Sequence, residues 1–126
     1  MSNNTFSGKI PGEIGYLKNL TDFYLGMNHF FGQWPHQIGE LSRLENFLSP
    51  SCGITSPLPE ELSKLESLSK LDLSYNQLRC SIPKSIGMLK NLTFLILFSA
   101  ELNGSIPPKL GNCRNLKTLM LSFNSI

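Results

Sequence analysis

Leu68 to Asn91 reads L-S-K-L-D-L-S-Y-N-Q-L-R-C-S-I-P-K-S-I-G-M-L-K-N, and Leu92 opens the same pattern again. Working outward, Pro11, Pro35, Pro59, Pro83 and Pro107 stand 24 residues apart. Leu20, Leu44, Leu68, Leu92 and Leu116 keep the same step, as do Leu17, Leu41, Leu65, Leu89 and then Cys113. Two more columns read Ile14, Ile38, Leu62, Ile86, Leu110 and Phe6, Phe30, Ile54, Leu78, Leu102, Ile126. A period in this range is the mark of a repeat array. Numbering positions from the first leucine, complete copies are expected at 20–43, 44–67, 68–91 and 92–115. Partial copies fill 1–19 and 116–126, so the whole of 1–126 reads as one array.

The physics of one copy predicts its shape. Around Leu71-Asp72-Leu73 apolar and polar residues alternate, so one side chain points inward and the next outward. Each copy supplies one short strand, and successive strands pair in parallel about 4.8 Å apart. A single copy cannot bury its own leucines, whereas stacked copies bury them in one continuous core. Position nine holds Asn4, Asn28, Asn76 and Asn124, with Cys52 and Ala100 in the other two copies. An inward amide has donors and an acceptor for the groups that a turn leaves unpaired, which predicts an asparagine ladder. At Ala100 the ladder breaks. A buried water or a local backbone shift is expected there, because an unpaired buried group costs about 1–3 kcal/mol. Gly8, Gly32 and Gly104 at position thirteen suit a dihedral that glycine adopts cheaply. The Ile-Pro pair then favours extended chain. Trp34 replaces that Ile and is expected as a bulky filler of the core or its edge.

Composition narrows the function. The chain has 126 residues, 40% apolar and 16% charged, which argues against charge-driven disorder. A net charge of +2 is too small for a nucleic-acid footprint. The longest apolar run, Phe94 to Phe98, is too short to span a bilayer, so no direct membrane insertion by this segment is expected. The start, Met1-Ser-Asn-Asn-Thr, shows neither a basic nor an apolar leader segment. Both ends fall inside a repeat without a polar cap. This suggests an excerpt from a longer array, or a truncated product, prone to aggregate when isolated.

These columns resemble the leucine-rich repeat, and the Ile-Pro pair with Leu-Gly resembles the variant of plant receptor ectodomains. The resemblance implies an α/β-type leucine-rich-repeat solenoid. That is a curved right-handed coil with a parallel sheet on its concave face and short extended or 3-10 segments on its convex face.

No catalytic motif occurs: the nucleotide-binding, kinase and nucleophile-elbow strings are all missing. The chain is read as a non-enzyme with no cofactor and no metal. His29 and His36 lack ligand-spaced partners and are expected to be solvated. The candidate surface is the concave face, which repeat proteins use for binding. Its outward residues include Tyr24, Lys70, Asp72, Phe94, Ile96, Phe98, Met120 and Phe123. The apolar members form a patch of the kind that marks a partner site, although a neighbouring segment is an alternative cover. Asp22, Lys70 and Asp72 read as a solvated rim. Three cysteines allow at most one disulfide. The offset of their positions argues against a Cys52–Cys80 bridge, and Cys113 is expected to be a buried, inert thiol. Sequons place candidate glycosylation at Asn3, Asn19, Asn91 and Asn103.

From about Leu44 onward the likeness tightens. Pro50-Ser51-Cys52, Leu71-Asp72-Leu73-Ser74-Tyr75-Asn76, Cys80-Ser81-Ile82-Pro83-Lys84-Ser85 and Ser99-Ala100-Glu101-Leu102 are similar to the ectodomain of the excess-microsporocytes family of receptor kinases. Leu110-Gly111-Asn112-Cys113 and Leu119-Met120-Leu121-Ser122-Phe123-Asn124-Ser125 continue the likeness. It implies a parent on the plasma membrane, with this segment on the extracellular side and a Ser/Thr kinase elsewhere. The implied partners are a secreted peptide or small cysteine-rich protein and a co-receptor kinase, with no nucleic acid. The rival is a soluble or kinase-less repeat protein, such as a receptor-like protein or an inhibitor of secreted pectin-degrading enzymes.

Overall fold

A computed structural model describes residues 5–126. Asn3 and Asn4 lie outside the described residues. The five repeated L-x-x-L-x-L segments form strands β2 (Asp22–Tyr24), β4 (Asn46–Leu48), β5 (Lys70–Asp72), β6 (Phe94–Ile96) and β7 (Thr118–Met120). They make one parallel sheet in the order β2-β4-β5-β6-β7. The register pairs equivalent positions throughout: Phe23 with Phe47, Phe47 with Leu71, Leu71 with Leu95 and Leu95 with Leu119. That register follows from the inward residue at position four. A slip of one residue would turn it to solvent.

After each strand the chain returns along the convex side through a five-residue 3-10 helix: Gly12–Tyr16, His36–Glu40, Glu60–Lys64, Lys84–Met88 and Pro108–Asn112. Each follows a proline of the 24-step column, and those prolines are extended, with ψ between 132° and 147°. Proline sets φ and presents a free carbonyl, which accepts from the third residue on, as in Ile38 N–H to Pro35 O at 3.0 Å. The residue after each helix, leucine in four turns and Cys113 in the fifth, donates back in turn and closes it, for example Leu41 N–H to Ile38 O at 3.2 Å. The core lies between sheet and helices. Leu44, Leu68, Leu92, Leu71, Leu95, Leu41, Leu65 and Leu89 are all at 0% exposure. Burial of such side chains contributes about 1.5–3 kcal/mol each. Trp34 is buried and meets Phe47 edge to face at 5.0 Å, with Phe23 beyond at 5.4 Å from Phe47.

The asparagine column works within turns and, at Asn76 and Asn124, across them as well, whereas Asn28 donates only to Leu25 O and Gly26 O of its own turn. Asn76 Nδ2 donates to Leu73 O of its own turn and to Ser49 O of the preceding one, each at 2.9 Å. Its Oδ1 accepts from Cys52 N–H at 3.1 Å. Asn124 repeats this with Leu121 O, Leu97 O and Ala100 N–H, and also accepts from Leu102 N–H. Cys52 and Ala100 therefore leave those backbone groups paired, because the asparagine one turn later reaches back. The backbone does change course in those two turns. Position ten is left-handed there, with Gly53 at φ 86° and Glu101 at φ 54°. Position eight is left-handed in every turn from Met27 to Phe123.

Two features escape the repeat reading. A second, two-stranded parallel sheet pairs β1 (Ser7–Gly8) with β3 (His29–Phe30). A second polar ladder also runs along position twenty-four, on the far side of the strands. Ser67 Oγ donates to Ser42 O, Asn91 Nδ2 to Glu66 O and Asn115 Nδ2 to Lys90 O, at 2.8–2.9 Å. Among the described residues no helix is long and apolar enough to cross a membrane.

Candidate functional site

Alternation along each strand turns the middle residue inward and its two neighbours onto the concave face. In β2, Phe23 is buried while Asp22 and Tyr24 are exposed. β6 differs: Leu95 is inward, but Phe94 and Ile96 are only half-buried, because bulky neighbours flank them on the same face. The outward candidates fall into two groups.

The first group is polar and sits on β2 and β4. The Asp22 carboxylate accepts from Thr21 Oγ1 at 2.7 Å, from Asn46 Nδ2 at 2.7 Å and from Tyr24 OH at 3.1 Å. These donors, Thr21 foremost, hold its carboxyl below the usual carboxylate range. The same bond pushes the Tyr24 hydroxyl up, since the phenol that donates to a carboxylate gives its proton up reluctantly. Asp72, on β5, accepts from Ser74 N–H at 3.0 Å and anchors the start of its own turn.

The second group is aromatic and sits past β5, β6 and β7. Phe98 lies between Tyr75 and Phe123, with ring centroids 5.2 and 5.0 Å away and both contacts edge to face. Tyr75 and Phe123 are 60% and 78% exposed, so this row faces solvent. Lys70 Nζ lies 5.6 Å from the centre of the Phe94 ring, within range of a cation–π contact. Ile96 and Met120 are register partners beside the row. The structure thus brings Phe94, Ile96, Phe98, Met120, Phe123 and Lys70 to one half of the face, and leaves Tyr24 on the other. Tyr75 is the residue that the sequence reading left out. The signal was present, since it shares position eight with Phe123, but the contact with Phe98 spans two positions and two turns.

The remaining candidates are placed as follows. Asn19, Asn91 and Asn103 are exposed. Asn19 Oδ1 accepts from Arg43 Nη1, and Asn91 belongs to the second ladder. Cys52, Cys80 and Cys113 are unpaired thiols, and burial pushes all three above their ordinary range. His29 and His36 are exposed. Among the described residues no group of three His, Cys, Asp or Glu side chains is placed to hold a metal. A groove of about 770 Å³ lies away from the concave face, among Trp34, Pro35, Pro57 and Pro59. It is the open seam between neighbouring Ile-Pro segments, so we place the candidate site on the sheet.

A parallel sheet advancing one strand per 24 residues, with a 3-10 segment on every return, is decisive for the fold. The chain is a leucine-rich-repeat solenoid. The leucine-rich-repeat family model matches residues 67–89. No curated protein sequence gives a significant match. Among solved structures, the plant peptide hormone receptor RGFR1, in complex with RGF2, is 41% identical over 98% of this chain, with a TM-score of 0.94. The Arabidopsis receptor kinase HAESA, in complex with the peptide hormone IDA and the co-receptor SERK1, is 37% identical over 96%, with a TM-score of 0.90. This leucine-rich-repeat chain spans about a fifth of the length of each. A plant ice-binding protein is 32% identical over 94% of this chain and 38% of its own, with a TM-score of 0.82.

Proposed function

We propose that this chain is a protein-interaction module from the extracellular ligand-sensing array of a plant receptor-like Ser/Thr kinase. It binds a secreted peptide or small protein on its concave face. The observation that carries this is the row of Tyr75, Phe98 and Phe123 beside a preformed sheet, its two outer rings exposed, where rigid rings offer contact area at low entropic cost. Support comes from the likeness to receptor ectodomains solved with peptide hormones, one of them with a co-receptor. The array divides as a partial copy at 1–19, four copies between 20 and 115, and a partial copy at 116–126. Asn19, Asn91 and Asn103 are candidate glycan carriers. The kinship with the excess-microsporocytes receptors rests on the sequence strings alone.

The test is recovery of peptides from plant extracellular fluid by the purified chain, identified by mass spectrometry. The reading expects a defined peptide that is retained by the wild type and lost by Phe94→Ala/Phe98→Ala. Equal recovery by both would remove the aromatic strand from the site. A second reading, a kinase-less repeat protein, draws on the likeness to a plant ice-binding protein. Reading the transcript past Ile126 separates the two: a membrane helix and kinase favour the receptor.

A further inference from the structure

The concave face is graded along the array. Asp22 and Tyr24 lie on β2, Asn46 on β4, and the aromatic row only from Tyr75 onward. Asp22 is fully exposed and receives hydrogen bonds from three neutral donors. Among the described residues it has no ion-pair partner, the ion pairs being Lys18–Glu40 and Arg79–Glu101. The nearby cation on this face, Lys70, is turned over the Phe94 ring, toward the apolar half. The face therefore offers a hydrogen-bonded carboxylate with no direct ion pair at one end, feeling Lys70 only at a distance, and a platform of edge-packed rings at the other.

We propose that the occupant of this face is an extended peptide laid diagonally across the strands, with an Arg or Lys about six residues from an aromatic side chain. The cation meets Asp22, and the aromatic side chain packs on Tyr75, Phe98 and Phe123. The inference rests on the concave-face reading above and adds the chemistry and spacing of the ligand. The spacing follows from geometry. β2 and β6 are three strand steps apart, about 14 Å at about 4.8 Å per step, and Phe98 stands four residues beyond Phe94, the residue in register with Asp22, about 13 Å further along the strand direction. An extended chain covers the resulting diagonal of about 19 Å in about six residues. The three donors on Asp22 fix its orientation before binding, so little order is lost when a guanidinium or ammonium arrives. Its ionised state persists through neutral pH because the same donors favour it.

The test pans a random twelve-residue phage library against the immobilised full chain. The best binder is then measured by fluorescence polarisation. The enriched peptides are expected to share a basic and an aromatic residue about six apart. Asp22→Asn and Phe98→Ala each weaken the selected peptide about tenfold, the scale of a single anchor residue. Alanine in place of the peptide's basic residue should make Asp22→Asn silent. Aromatic peptides with no basic preference, and within twofold on Asp22→Asn, overturn the graded ligand but leave the face reading intact. No enriched binder sensitive to Phe98→Ala overturns both.

Discussion

Asn76 serves two turns at once, and its four side-chain hydrogen-bond partners among backbone groups are Leu73 O, Ser74 O, Ser49 O and Cys52 N–H. Removing the amide leaves several buried groups unpaired, at about 1–3 kcal/mol each. Asn76→Ala should therefore lower the unfolding free energy by about 3 kcal/mol or more in urea titration, whereas Cys52→Ala should cost only about 1 kcal/mol. Similar losses for the two would show that the bridge between turns carries no special weight. The thiols belong to the same scale. Cys52 and Cys113 are buried, and Cys113 Sγ donates to Ile86 O at 3.2 Å. A thiol reagent at neutral pH should reach the half-buried Cys80 first and count three thiols only after denaturation. The sign of the pH effect follows from the raised values. The neutral thiol is favoured by folding, so this contribution is complete below the ordinary thiol pKa of about 8.5 and is lost as pH rises through the raised folded values. The fall in the urea midpoint between pH 8 and 10 should be smaller in Cys52→Ala than in the wild type.

At the scale of the element, the 3-10 returns pack closely enough that Gly15, Gly39 and Gly87 at position twenty leave little room for a Cβ, while the turn at Ser63 accepts one. A Cβ on Gly87 would come within 2.4 Å of Lys109 O in the next turn, while one on Gly111 would meet nothing within 4 Å. Gly87→Ala should destabilise by about 1–3 kcal/mol through forced backbone movement. Gly111→Ala should be neutral, or stabilising by about 0.4–1 kcal/mol through the unfolded chain. Thermal melts of the two variants compare one column with and without a neighbour. The main strands and the 3-10 returns were legible because each is written five times, with proline and leucine at fixed offsets. The β1–β3 pair was not. It is two residues long, Ser7–Gly8 with His29–Phe30, and carries no alternation of its own.

At the scale of the whole molecule, stability comes from stacking, so equivalent leucines differ by position along the coil. Leu71 is at 0% exposure between two turns, and Leu119, its equivalent on the last strand, is at 42%. Leu71→Ala should cost about 2–5 kcal/mol, and Leu119→Ala less than about 1.5 kcal/mol, as read by urea unfolding. Equal costs would mean that the leucines are buried within their own turns and that stacking is not the source of the core.

The period, the inward leucines, the asparagine column and the outward identity of Phe94, Ile96 and Phe98 were all set by the order of residues, since a parallel stack copies one register into every turn. Tertiary structure alone decided what happens between turns. It placed Asn124 where it could supply Ala100, set Tyr75, Phe98 and Phe123 in one row, and left Asp22 among neutral donors at the opposite end of the face. The reason is distance along the chain. Apart from Thr21 and Tyr24 on Asp22, those contacts join residues more than twenty positions apart, and only the stacked backbone fixes how far each side chain must reach.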